Sequence, residues 1–186
     1  YLNRNNIFST DIGPGNCLLD NWIKKKNNKD FDKNGKISLK GKINYILSNN
    51  FLNKIKKVNK NKNFSYDTSD FKLTKFYKLK LEDGAATLSY VTAKLILNCA
   101  KNFNQKIIIL CGGGRWNQAI INNLKKEKFE IKLIDDLNFG KINQGDFIES
   151  QAFAYLGVRS YLNLPISFPT TTGVKKACSG GVIFKS

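Results

Sequence analysis

The stretch Asp11-Ile12-Gly13-Pro14-Gly15-Asn16 sets a carboxylate directly before a glycine-rich turn. The β-prone run Ile7-Phe8-Ser9-Thr10 precedes it, and Cys17-Leu18-Leu19-Asp20-Asn21-Trp22-Ile23 follows with helical spacing. A strand, a turn at Gly13 and Gly15 and a helix N-terminus together bring backbone amides close to an anion such as phosphate. Asp11 beside them could hold a metal or act as a base toward something bound there. An ordinary strand-to-helix turn with a solvated Asp fits the same residues, and spacing alone leaves both readings open. A second turn of this kind is Gly112-Gly113-Gly114, between the apolar run Lys106–Cys111 and a helical pattern over Arg115–Lys126. Its Gly113-Gly114 backbone could face a nucleotide's sugar or phosphate, although tight turns use triple glycine too. Glu149 falls in the first turn of the last long helix, where it either complements the helix dipole or faces a cleft as a polar ligand group. The chain has no His, so carboxylates are the expected general bases.

The elements that must position these groups follow from hydrophobic periodicity. Lys106–Cys111, the helix Arg115–Lys126 and the run Glu130–Ile134 make a β-α-β unit, which predicts a parallel sheet with ligands at the carboxyl ends of its strands. Glu82-Asp83-Gly84 opens a long helix with an apolar stripe of Ala85, Leu88, Val91, Thr92, Leu95, Ile96 and Cys99. Ile37, Leu39, Ile43, Ile46 and Leu47 predict a short amphipathic helix, Lys54–Tyr66 a Lys/Asn-rich loop, and Asp67–Leu81 a mixed stretch whose Phe71, Leu73, Phe76, Tyr77 and Leu79 make a helix or irregular packing element. In the last long helix, Ala152, Phe153, Leu156 and Gly157 form the expected packing face. The fold class is α/β.

Composition narrows the function classes. At 186 residues and 41% hydrophobic content the chain can bury a core as one or two domains. The net charge of +17 invites a nucleic-acid reading. Only Arg4, Arg115 and Arg159 are arginines, however, and the lysines come with abundant Asn, Ile, Phe and Tyr, residues that share AT-rich codons. The charge therefore reads as a solvated surface without a nucleic-acid partner, with a lysine-rich nucleic-acid binder as the alternative. No apolar run approaches the roughly 20 residues of a membrane helix, so no membrane partner is expected and the cytoplasm is the expected location. Cys17, Cys99, Cys111 and Cys178 are widely spaced, with no C-x-x-C pair, and read as reduced, buried small residues. The chain contains no Met and starts at Tyr1, from which a fragment lacking an N-terminal portion is expected.

Taken together, these segments resemble the anhydro-N-acetylmuramic acid kinase family. Asp11-Ile12-Gly13-Pro14-Gly15-Asn16 is similar to its D-T-G-P-G-N signature, with Ile12 in place of Thr. Ile109-Leu110-Cys111-Gly112-Gly113-Gly114-Arg115-x-Asn117 resembles its V-C-G-G-G-x-x-N. Glu149-Ser150-Gln151-Ala152-Phe153-Ala154-Tyr155-Leu156 resembles its E-A-x-A-F-A-x-L. Leu81–Leu88 and Phe168–Gly173 also match, so the likeness runs in family order over essentially the whole chain. The resemblance implies the hexokinase–heat-shock–actin fold, a mixed sheet flanked by helices, with residues 1–186 as the C-terminal lobe of a two-lobe sugar kinase. The N-terminal lobe and its first phosphate loop would be missing, and the fragment alone inactive. It further implies ATP and Mg2+ as cofactors, with 1,6-anhydro-N-acetylmuramic acid and water converted to N-acetylmuramic acid 6-phosphate in cell-wall recycling. Asp11 matches the base that activates water. Gly13, Gly15 and Asn16 match the phosphate segment, Gly112, Gly113, Gly114 and Asn117 the adenosine segment, and Glu149 a polar group of the cleft; no residue is assigned to the metal. The full-length protein would be a homodimer. Two departures stand out. Ile12 lacks the hydroxyl that could orient phosphates or metal, and Ser65–Phe71 lacks the Lys and Arg of the family's K-S-x-x-R-x-x-F region. A catalytically dead kinase-like lobe used for assembly is the third reading.

Overall fold

The computed structural model describes residues 2–3, 6–59, 71–137, 145–182 and 184. It divides into two compact units, one of Tyr1–Asp11 with Gln144–Ser186, the other of Ile12–Asn143.

The Ile12–Asn143 unit is built on helices. Helix α1 (Cys17–Asn27) buries Leu18, Leu19, Trp22 and Ile23 on one face and ends at Asn28, whose left-handed backbone (φ 52°) closes it. Trp22 is fully buried and its indole N–H donates to the Leu81 carbonyl at 2.8 Å. Residues 33–40 form two 3-10 turns rather than the start of a helix. Buried Asp32 organises them, accepting from the amides of Ile37 (2.8 Å) and Ser38 (2.9 Å) and from the Ser38 hydroxyl (2.6 Å). The chain then turns extended at Gly41, so the helix expected over Ile37–Leu47 starts later.

Helix α2 (Tyr45–Asn59) begins at Asn44, whose side-chain oxygen accepts from the Leu47 amide at 2.9 Å. It runs on through residues 54–59, where the sequence predicted a loop, because Phe51, Leu52 and Ile55 keep an apolar face turned inward. The remainder of that predicted loop, 60–66, lies outside the described residues, as does the segment 65–70 that departs from the family pattern. Phe71, Leu73 and Phe76 are buried in irregular structure and a 3-10 turn, as a packing element should be.

Helix α3 (Leu81–Asn102) is the wall shared by two cores. Ala85, Leu88, Val91 and Leu95 join α1, α2 and Phe76 in one cluster. Ala93, Leu97 and Ala100 join β3 (Ile107–Leu110) and α4 (Gln118–Leu124) in the other. The helix is therefore buried on more than the single stripe that periodicity predicted. Strand β4 (Glu130–Leu133) pairs parallel with β3, Ile107 opposite Glu130 and Leu110 opposite Leu133, as a β-α-β unit requires. β3 is not buried on both faces: Ile108 and Leu110 are buried, whereas Ile107 and Ile109 are about half exposed at 45% and 49%. Alternating side chains point to opposite faces, and only one face of this pair is covered by helices. At the far end of α4, Glu127 takes Lys94 (3.0 Å) and Lys101 (3.1 Å) from α3, and these hold its carboxyl below the usual range.

In the other unit, β1 (Leu2–Asn3) and β2 (Asn6–Ile7) pair antiparallel. The strand thus ends at Ile7, four residues before Asp11, and Ser9 donates its amide to the Thr170 carbonyl at 3.2 Å. Helix α5 (Ile148–Tyr161) follows a 3-10 turn, and α6 (Pro169–Thr172) is one turn long. Ile166 and Ser167 pair with Cys178, and Arg159 donates to the Pro165 carbonyl at 2.7 Å. The packing face expected on α5 is not buried: none of its residues is, and Phe153 is 66% exposed.

The described fold is thus a helix-rich α/β arrangement with a small parallel sheet. Among the described residues, each unit holds one two-stranded sheet, β1 with β2 antiparallel and β3 with β4 parallel. Cys17, Cys111 and Cys178 are exposed, not buried, and all four cysteines are free thiols. Burial pushes up the pKa of the half-buried Cys99. No helix of the described residues is long and apolar enough to cross a membrane.

Candidate functional site

The two glycine turns, about a hundred residues apart in sequence, meet in the Ile12–Asn143 unit. Between them is a cavity of about 330 Å³, lined by residues that include Gly15, Asn16, Thr92, Gly113, Gly114 and Ile120. α3 holds the first turn in place. Gly13 rests on the Leu95 side chain, and the Thr92 hydroxyl donates to the Gly15 carbonyl at 2.9 Å. The Cys17 amide donates to Pro14 at 3.1 Å, and α1 starts there.

The second turn leaves the carboxyl end of β3. Gly112 has φ 70°, a left-handed backbone that side chains rarely adopt, and it directs the chain into the 3-10 turn Gly113–Trp116. Gly114 then lies against Asn16, close enough that a Cβ there would come within 3.1 Å of the Asn16 amide nitrogen. This close approach is where the turns touch. Asn117 ends the second turn with its side chain buried, 4% exposed, accepting from the amides of Ala119 (3.0 Å) and Ile120 (3.2 Å). It caps α4, which accordingly starts at Gln118 and not at Arg115.

Gly15, Asn16, Gly113 and Gly114 of the expected binding residues line the cavity directly, while Gly13, Gly112 and Asn117 belong to the turns that frame it. Asp11 and Glu149 are placed in the other unit, both exposed, Glu149 in the first turn of α5. Ile12 is half-buried. Leu110, Ile96 and Ile120 give the cavity an apolar side, the glycine backbones give it a polar one, and among the described residues no carboxylate lines it. Such a surface suits a flat ring with a sugar or phosphate attached. Among the described residues no group of three His, Cys, Asp or Glu side chains could hold a metal ion.

Three contributors escaped the sequence reading. Thr92 sat within an apolar stripe with no sign of its bond to Gly15. Arg115 and Asp135 form an ion pair behind the second turn, with 2.6 Å between Nε and Oδ2; the rarity of arginine in this lysine-rich chain was the one available signal. A larger open cleft of about 610 Å³ near Trp22, Lys25 and Tyr77 contains neither turn. Lys25, which lines it, stacks on the Tyr77 ring at 4.2 Å, and the neighbouring Lys26 donates to the carbonyls of Tyr77 and Leu79.

Comparison with known proteins bears on the same segments. The profile of the family described as anhydro-N-acetylmuramic acid kinase matches residues 2–186. The protein of that name from Pelagibacter ubique is 40% identical over 193 residues, covering 99% of this chain and 50% of the relative. Those from Zymomonas mobilis and Agrobacterium fabrum are 36% and 35% identical, covering 96% and 97% of this chain and 48% of each relative. The chain spans about half the length of the curated relatives it matches. With both glycine turns inside the matched region, the chain belongs to the anhydro-N-acetylmuramic acid kinase family.

Proposed function

We propose that this chain is the nucleotide-holding C-terminal half of an ATP-dependent kinase. The enzyme converts 1,6-anhydro-N-acetylmuramic acid, water and ATP to N-acetylmuramic acid 6-phosphate and ADP, in peptidoglycan recycling. The observation that carries this reading is the meeting of the two glycine turns around one cavity at the carboxyl end of β3. A nucleotide fits it chemically: the ring lies on Ile96 and Ile120, and the exposed backbone of Gly113 faces the sugar. The open backbone of the first turn, at the start of α1, faces the phosphates.

Asp11, two residues before Gly13 of that turn, takes the proton from water as it attacks the anomeric carbon. The 6-oxygen released from the anhydro bridge then attacks the γ-phosphorus, and the phosphoryl group passes from ATP to the sugar. When bound, Mg2+ supplies charge neutralisation on the phosphates. Gly13 and Gly15 hold the phosphates in line, Asn117 keeps the second turn in place from behind, and Glu149 lends the cleft a polar group. The actin-like two-lobe fold, an N-terminal lobe beyond this half, a homodimeric assembly and a cytoplasmic location belong to the same reading.

The test is Asp11→Asn in the full-length protein, followed by coupled measurement of ADP release and of sugar phosphate. Phosphorylation should be abolished, with nucleotide affinity retained. Turnover near the wild-type rate would remove Asp11 from the role of base.

A further inference from the structure

Arg115 is the one charged residue in the second turn, and it is almost wholly removed from water at 1% exposure while still lining the cavity. A guanidinium does not give up its charge, so burial at this depth requires acceptors. Its Nε donates to Asp135 Oδ2 at 2.6 Å, Nη2 reaches Oδ1 at 3.5 Å, and Nη1 donates to the Gly112 carbonyl at 3.1 Å. The Trp116 ring lies 4.5 Å from the guanidinium carbon. Asp135 belongs to the 3-10 turn Ile134–Asp136 that directly follows β4. One side chain therefore ties the first residue of the glycine turn to the carboxyl end of the neighbouring strand.

Three successive glycines lose more backbone freedom on ordering than any other tripeptide, so this turn needs a restraint from outside itself. We propose that Arg115 and Asp135 are positioning residues for nucleotide binding, holding the Gly112–Trp116 turn in its binding shape before the ligand arrives. The inference rests on the nucleotide reading above. With the pair broken, the turn must be ordered when the nucleotide binds, which weakens affinity and leaves the bound complex unchanged. The signature is a raised nucleotide KM with kcat at saturating nucleotide retained.

The experiment uses the full-length protein, with ADP titrated calorimetrically and steady-state kinetics run against ATP. Asp135→Asn should raise the ADP Kd and the ATP KM about tenfold, with the sugar KM unchanged, and Asp135→Glu should recover most of the loss. Should Asp135→Asn fail to fold, Arg115→Lys carries the same expectation, since it keeps the charge but not the fork. Wild-type protein that binds no ADP overturns the nucleotide reading and this inference with it. Wild-type binding together with unaltered affinity in the variants, or an equal fall in kcat, overturns the positioning role alone.

Discussion

Replacing Asp20 by Asn should stabilise the protein at neutral and alkaline pH and have almost no effect in acid. Asp20 lies on α1, half-buried; its amide donates to the Asn16 carbonyl at 2.9 Å, while its carboxylate makes no hydrogen bond or ion pair with another described residue. Burial, and after it the Asp32 carboxylate, push its pKa from the ordinary 3.8 up to about 6. The folded state then holds a proton that the unfolded state has released. Stability from this group is fully present below pH 3.8 and is lost as pH rises through about 6. The displacement corresponds to about 3 kcal/mol; water reaching a half-exposed side chain screens it, leaving about 1 to 1.5 kcal/mol. Asparagine keeps the shape and cannot ionise. Urea unfolding at pH 4, 6 and 8 should therefore show the variant and wild type nearly equal at pH 4, with the variant ahead by that margin at pH 8. A difference independent of pH, or a variant less stable at pH 8, would refute the argument that an unpaired carboxylate is being desolvated here.

Two further substitutions probe the frame of the cavity, beside those given for Asp11 and Asp135. Asn117→Ala removes both cap bonds to Ala119 and Ile120 and should cost about 1 to 2 kcal/mol in urea unfolding; an effect below the error of the measurement would show that α4 does not depend on its cap. Thr92→Val keeps the shape and loses the bond to the Gly15 carbonyl. It should lower stability by about 1 kcal/mol and weaken ADP binding measured by calorimetry, and unchanged affinity would show that the first turn holds its shape without α3.

The local grammar of the chain was legible before any coordinates. Gly112-Gly113-Gly114 after an apolar run and before an apolar-periodic segment can only be a tight strand-to-helix turn, and the parallel pairing of β3 with β4 follows from the crossover helix. Leu18, Leu19, Trp22 and Ile23 announce their helix by spacing alone. Boundaries were less secure. The Lys/Asn-rich sequence of residues 54–59 reads as loop, and the inward packing of Phe51, Leu52 and Ile55 goes with a helix that continues. The late start of α4 was hidden because Asn117 is a cap, and a cap is a hydrogen-bond geometry, not a composition.

What tertiary structure alone decided is which distant residues share a surface. Asn16 and Gly114 touch although 98 positions separate them, and no periodicity encodes such a contact. Thr92 joins the site through a hydroxyl that hydropathy counts as nearly apolar. Arg115 was one more cation in a chain of net charge +17 until burial showed that it must be paired, and the pair named Asp135. Sequence sets the local backbone preferences and the apolar faces, because these depend on neighbours along the chain. The cavity depends on how α3 brings the two turns together, and that is set by packing across the whole unit.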